Sequence, residues 1–184
     1  MKTNTIRLTQ KKPKKAVRIA QKKQTKIERL SKIMLIGTVL CCMAPFLYVM
    51  SMQMKASSSG ITMMNLIETN PLVNLNMIAA FLNPFVGYML FLTRKRLLAY
   101  ENYESVYLNL AILMVAQICS MNILYLCLFA YVLYKAMDVY EKPFKSAFQA
   151  MSKSFVGKEL GGSILIFCFF LLITLLTLRL NFLA

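Results

Sequence analysis

The chain has 184 residues, of which 58% are hydrophobic, and its mean hydropathy is +0.57. Ordinary soluble domains contain about 45 to 50% apolar residues, so this composition excludes a typical water-soluble domain and indicates a membrane protein. The formal net charge of +15 is concentrated at the start of the chain.

Residues 1 to 32 form a basic tail, in which twelve Lys and Arg face one acid, Glu28. After Pro13, apolar residues recur at helical spacing among the bases. This pattern predicts a basic amphipathic helix that lies on the inner leaflet or runs straight into the first span. Anionic lipid headgroups and a protein partner are the predicted ligands, and nucleic acid is a weaker alternative. The predicted partner or lipid contacts are Lys11, Lys12, Lys14, Lys15, Arg18, Lys22, Lys23, Lys26 and Arg29.

Four apolar stretches follow the tail, at about residues 33–54, 71–93, 106–134 and 163–180. A helix needs about 20 residues to cross the hydrocarbon core of a bilayer. The sequence therefore predicts an all-α integral membrane protein, with a cytoplasmic tail over 1–32 and a domain of four transmembrane helices over 33–184.

The second stretch is the most polar of the four, and its residues Asn76, Ala80, Asn83 and Gly87 share one helical face at i, i+4, i+7 and i+11. Polar side chains in lipid are costly unless they are bonded, and small or amide residues are common where membrane helices pack together. We therefore predict that the second and third helices pack through these residues, and a substrate pathway along the same amides is the alternative. The residues concerned are Asn76, Asn83, Pro84, Gly87, Asn109, Gln117 and Asn122.

A second amphipathic segment precedes the last span. Aromatic and apolar residues recur there at i, i+4, i+7 and i+11, with lysines at other positions. This pattern predicts a helix from near Pro143 to Gly157 that lies in the membrane interface, or that binds a partner protein through its aromatic face. The repeating residues are Phe144, Phe148, Met151 and Phe155.

The distribution of Lys and Arg predicts the orientation. With four spans and an internal N-terminus, sixteen bases lie inside and six outside, which favours a plasma-membrane protein with both termini in the cytoplasm. However, five of the outside lysines lie in the single segment 135–158. Either the tail dominates, or the third stretch folds back without crossing. Since two full crossings need about 40 residues, one tilted crossing of 106–134 is the prediction.

The residues that usually perform chemistry are missing from the spans. The chain has no histidine, all five cysteines lie in apolar stretches, and no charged residue lies in the middle of a span. No nucleophile and base pair, phosphate-binding loop or metal-ligand spacing is recognisable. We therefore predict neither an enzyme nor a metal or cofactor site.

A membrane domain without chemistry and with a long charged tail indicates a function based on contacts. We predict a regulator, an immunity factor or an accessory subunit that acts through protein–protein or protein–lipid contacts. The alternative is a transporter subunit or a homo-oligomeric pore lined by the amides of the second and third helices. Sixteen lysines against six arginines, and no tryptophan, favour a bacterial source.

Overall fold

The chain forms helices joined by short turns. The structure is a computed structural model that describes residues 13–149 and 156–183, and the side chains that it describes are those of residues 17–149 and 157–182. Within these ranges there is no strand. The helices are α1 (Pro13–Ser58), α2 (Met63–Thr69), α3 (Pro71–Ala99), α4 (Tyr103–Cys119), α5 (Ile123–Tyr140), α6 (Phe144–Gln149) and α7 (Gly161–Leu183), and a π-helical turn (Val156–Leu160) precedes α7.

Four of these helices, α1, α3, α5 and α7, are long and apolar enough to cross a membrane. α4 is also apolar but has only 17 residues. The all-helical prediction is confirmed for the described chain, and the four candidate spans indicate a multi-pass membrane protein.

The tail and the first span form one continuous helix. α1 contains 46 residues, which corresponds to about 69 Å at a rise of 1.5 Å per residue. A bilayer core is about 30 Å thick, so this helix is too long to lie within the bilayer alone. Its inner face stays buried over the tail as well as the span, since Ile27, Leu30 and Met34 are at most 5% exposed.

α3 lies against α1 at close range. The Tyr48 hydroxyl donates to the Val73 carbonyl over 3.1 Å at one end, and Arg94 Nε donates to the Ser31 hydroxyl oxygen over 2.8 Å at the other. Between these bonds, Gly87 lets the two backbones approach. A Cβ atom on this glycine would lie 3.0 Å from both Cys41 Cβ and the Thr38 carbonyl oxygen.

Replacing Gly87 with alanine is expected to destabilise the protein by about 1 to 3 kcal/mol, because the added methyl group forces α1 and α3 apart. Gly161→Ala is the matched control, since a Cβ there meets nothing within 4 Å. Thermal unfolding in detergent, followed by circular dichroism, measures both variants. Equal midpoints for the two would contradict the close contact.

The structure corrects the predicted third span, because residues 106–134 belong to two helices. α4 and α5 form an antiparallel hairpin, and the Tyr107 ring on α4 lies 5.8 Å from the Tyr140 ring on α5. The chain reverses over 120–122, where Met121 adopts a left-handed φ of 51°.

Asn122 then caps α5, with its side-chain oxygen accepting from the Tyr125 N–H over 3.4 Å. This amide is therefore a helix cap rather than the packing residue that the sequence pattern predicts.

The backbone of the hairpin turn is hydrogen-bonded within the turn. The N–H groups of Ser120, Met121 and Asn122 donate to carbonyl oxygens in the last turn of α4, over 3.0 to 3.2 Å. The Cys119 carbonyl accepts from the Thr174 hydroxyl on α7 over 2.8 Å. A turn satisfied in this way is tolerated at membrane depth.

α7 runs away from the end of the bundle where α1 begins. Its first turn lies beside the second half of α3, since a Cβ on Gly162 would meet the Met89 sulfur at 2.8 Å. Its last turn reaches the start of α3, where Arg179 and Pro71 line one cavity. The described ends of α1 and α7 therefore lie at opposite ends of the bundle, because the hairpin adds one reversal of the chain.

The charges are segregated between the two ends of the bundle. We call the basic end the one where residues 23–31 of α1 meet Arg94 of α3, Tyr100 directly after α3, and Asp138 of α5. Only Lys55 and Arg179, of the fifteen Lys and Arg side chains described, lie at the opposite end. The thirteen at the basic end are Arg18, Lys22, Lys23, Lys26, Arg29, Lys32, Arg94, Lys95, Arg96, Lys135, Lys142, Lys145 and Lys158.

Candidate functional site

A polar network joins α3, α4 and the π-helical turn at the basic end. Arg96 Nη2 lies 2.9 Å from Glu159 Oε2, and Arg96 Nη1 donates to the Ser105 hydroxyl oxygen. The Ser105 hydroxyl in turn donates to Glu159 Oε2 over 3.1 Å. Ser105 is fully buried, and the two charged side chains are each 27% exposed. The ion pair therefore lies in a partly desolvated position.

Asn109 extends this network to α7. Its Nδ2 donates to the Ser105 carbonyl over 2.8 Å and to the Glu159 carbonyl over 3.1 Å. Its Oδ1 accepts from the Ser163 hydroxyl over 2.6 Å. A π-helical turn is rare and is often found at functional sites. Here the network fixes that turn, and with it the start of α7, against α3 and α4.

Aromatic side chains pack together beside this network, at the end of the α4–α5 hairpin away from its turn. The rings of Tyr100 and Tyr140 stack at 4.9 Å, and Lys23 Nζ lies 4.5 Å from the centroid of Tyr100. The Tyr107 hydroxyl donates to the Lys142 carbonyl over 3.1 Å. Tyrosines and bases at the same level are typical of the boundary between membrane and water.

The predicted tail contacts fall into three groups. Arg18, Lys22, Lys26 and Arg29 are exposed on α1, whereas Lys23 is half-buried against Tyr100. Of the others, Lys14 and Lys15 belong to α1 but lie outside the described side chains, and Lys11 and Lys12 lie outside the described residues altogether.

One tail lysine has an acidic partner on α5. Lys26 Nζ lies 3.0 Å from Asp138 Oδ2 and 3.1 Å from Asp138 Oδ1. Both side chains are about half exposed, at 52% and 50%. The pair links the tail part of α1 to the last turns of the hairpin.

The structure places the predicted packing amides in separate environments. Asn76 is exposed, and Asn122 caps α5. Asn83 and Gln117 are buried, and each bonds within its own segment: Asn83 Nδ2 donates to the Ala79 carbonyl over 3.3 Å, and Gln117 Oε1 accepts from Ser120 over 3.3 Å. In residues 17–149 and 157–182, none of these amides is hydrogen-bonded between α3 and α4.

Pro84 and Gly87, the two predicted packing residues that are not amides, both lie in α3. Pro84 is inside the helix, and Gly87 faces α1 rather than α4. The small-residue face of α3 therefore packs on the first span.

The predicted interfacial helix is only partly described. α6 covers Phe144–Gln149, and the Phe144 ring lies 6.2 Å from the Tyr107 ring. Phe148 is 52% exposed and makes an edge contact with Phe144 at 5.2 Å. Met151 and Phe155 lie outside the described residues.

Sequence patterns do not reveal Arg96, Ser105, Glu159 and Ser163 as a group. In the sequence, Arg96 is one of several charges that determine orientation, and the other three match no motif. Glu159 is flanked by Gly157 and Gly161, which is the one local sign that its position is special. The pairing itself joins residues 63 positions apart.

Among the described residues, no three His, Cys, Asp or Glu side chains come together as they would around a metal ion. The five cysteines are free. No protein-family model, no curated protein and no solved structure matches this chain.

Proposed function

We propose that this protein is a non-catalytic multi-pass protein of the cell membrane whose basic end faces the cytoplasm. There, α1 holds an acidic protein partner at the membrane, in the manner of a regulator, an immunity factor or an accessory subunit. The observation that carries the proposal is the continuity of α1, which extends exposed bases out of the first span without a break.

The charge distribution supports this orientation. Thirteen of the fifteen described Lys and Arg side chains lie at the basic end, and cytoplasmic segments of membrane proteins carry an excess of such residues. The hairpin brings Lys135, Lys142, Lys145 and Lys158 to the same end as the tail. The proposed arrangement therefore has the N-terminus inside and the end of α7 outside.

The geometry of α1 supports a contact function. Arg18, Lys22, Lys26 and Arg29 follow one another at i, i+4, i+8 and i+11, so they occupy one face of the helix. The helix is held by its buried face and by the contact between Lys23 and Tyr100. A preorganised basic face pays little ordering entropy when it binds an acidic surface.

The positions of the amides favour contact over transport. Asn122, one of the four residues expected along a transport pathway, is used as a helix cap. Asn83 and Gln117 are buried but bond within their own segments.

Site-specific photocrosslinking in cells tests the proposal. A photoreactive residue at Ile19, which is 62% exposed, is expected to crosslink one protein with an acidic surface. Arg18→Glu with Lys22→Glu is expected to abolish this product, because like charges repel across the contact. The matched controls are a probe at Met54, 72% exposed at the opposite end, and Lys55→Glu. A product that survives the Arg18 and Lys22 reversal, or that forms equally from Met54, would refute the proposal.

A further inference from the structure

A cavity of about 280 Å³ lies between the tail part of α1 and the second half of α5. Four charged side chains line it, Lys26 and Arg29 from α1 and Lys135 and Asp138 from α5. Its apolar lining includes Leu30, which is 3% exposed, and Ile33. The volume is slightly below the range of drug-sized ligand pockets, about 300 to 1,000 Å³, and suits a small charged group.

The charges around the cavity do not balance. Lys26 and Asp138 form an ion pair with each other, so the two charges largely cancel. Arg29 and Lys135 have no carboxylate partner in the part of the chain that the structure describes. Two uncompensated bases on facing helices attract an anion into the space between them.

The position of the cavity along α1 identifies the kind of anion. Ile33 is the first residue of the apolar stretch of α1, so the cavity lies where charged helix gives way to apolar helix. Further down the same face, Ile36 and Leu40 are 59% and 40% exposed. A charged pocket above an exposed apolar track matches a molecule with an anionic head and a hydrocarbon chain.

We propose that this cavity binds the phosphate group of an anionic phospholipid, with Arg29 and Lys135 as its charge partners. Arginine pairs with phosphate oxygens through two parallel hydrogen bonds, and lysine adds a point charge. The ion pair of Lys26 and Asp138 bridges the two walls. The inference rests on the proposed function for its orientation, because the basic end then lies at the cytoplasmic headgroups, where anionic lipids are common.

Tryptophan fluorescence provides a direct test, because the chain contains no tryptophan. Ile36→Trp places one reporter on the exposed face below the cavity. The protein is reconstituted in phosphatidylcholine vesicles that contain a small fraction of either brominated phosphatidylglycerol or brominated phosphatidylcholine. The brominated phosphatidylglycerol is expected to quench the tryptophan fluorescence more strongly than the same fraction of brominated phosphatidylcholine. The ratio of the two quenching strengths measures the preference for the anionic lipid.

Two charge-neutralising double variants locate the preference. Arg29→Gln with Lys135→Gln is expected to lower the preference for the anionic lipid about tenfold, as the loss of one charged hydrogen bond would. Arg18→Gln with Lys22→Gln removes the same charge from α1 outside the cavity and is expected to keep the preference. Thermal unfolding checks that both variants are folded. A preference that is absent from the wild-type chain, or lost equally in both variants, would overturn the inference.

Two further measurements distinguish a lipid site from a site for free phosphate and from the partner contact on α1. If the Ile36→Trp reporter in phosphatidylcholine vesicles responds to inorganic phosphate, not to chloride at equal ionic strength, and shows no preference for phosphatidylglycerol, the cavity takes free phosphate and the lipid assignment is wrong. The crosslink from Ile19 is measured in parallel in Lys135→Gln, which removes one charge partner of the phosphate but leaves the basic face of α1 intact. A crosslink that is retained while the preference for phosphatidylglycerol is lowered supports the lipid site. A crosslink that is retained when the wild-type chain shows no such preference overturns this inference but not the proposed function.

Discussion

Replacing Arg96 with glutamine is expected to lower the free energy of unfolding by about 2 to 4 kcal/mol, because it leaves the Glu159 carboxylate partly buried without its charge partner. The two groups are 2.9 Å apart, and each side chain is only 27% exposed. Glu159→Gln is expected to lower the free energy of unfolding by a similar amount, because it leaves the Arg96 guanidinium partly buried without its charge partner. Unfolding in detergent at increasing denaturant concentration measures the difference.

A double-mutant cycle separates the pair from the rest of the network. The variant with both Arg96→Gln and Glu159→Gln is expected to lose about 1 to 3 kcal/mol less than the sum of the single variants. Asp138→Asn is the matched control, because its ion pair with Lys26 is about half exposed and exposed pairs contribute about 0 to 1 kcal/mol. Additive losses at Arg96 and Glu159 would show that the two charges do not act together.

Reporter fusions are expected to place the two ends of the bundle in different compartments. A phosphatase that is active only outside the cytoplasm should be active when it is fused after Ala184 and inactive when it is fused after Glu141. The reason is that the hairpin returns Glu141 to the basic end, whereas α7 ends beside the start of α3. Enzyme activity normalised to the amount of fusion protein provides the measurement.

A second reporter that is active only in the cytoplasm controls for failed export and should give the reciprocal pattern. The arrangement predicted from sequence, with one crossing over 106–134 and both termini inside, requires the opposite results at both positions. An active phosphatase at Glu141 together with an inactive one at Ala184 would therefore reject the hairpin topology.

Hydrophobicity identified the helical character of the chain but not the direction of every segment. The apolar stretches 33–54, 71–93 and 163–180 lie within α1, α3 and α7, and they were recognisable because long runs of apolar residues are costly to expose to water. The stretch 106–134 is apolar along its whole length, although the chain reverses at Met121. Both halves of a hairpin are equally apolar, so hydropathy does not record the turn. Asn122 did carry a signal, since asparagine before an apolar run is a common helix cap.

The surplus of lysine after Tyr134 was the sequence feature that disagreed with a single crossing of 106–134. With one crossing, Lys135 and the lysines after it lie on the side that disfavours them, whereas the hairpin returns them to the side of the tail. The polar network was beyond the reach of sequence reasoning for a different reason. Arg96 and Glu159 are distant along the chain, and only the packing of the π-helical turn on α3 and α4 brings them together.

The hairpin also has a consequence for how the protein is made. Residues 105–134 contain no Asp, Glu, Lys or Arg, and the main-chain N–H groups of the turn already have acceptors. In the proposed orientation, α4 and α5 enter the lipid from the cytoplasmic leaflet, and no charged side chain of 105–134 has to be transferred across the hydrocarbon core. Insertion of this pair of helices therefore does not draw on the membrane potential, which acts on transferred charge.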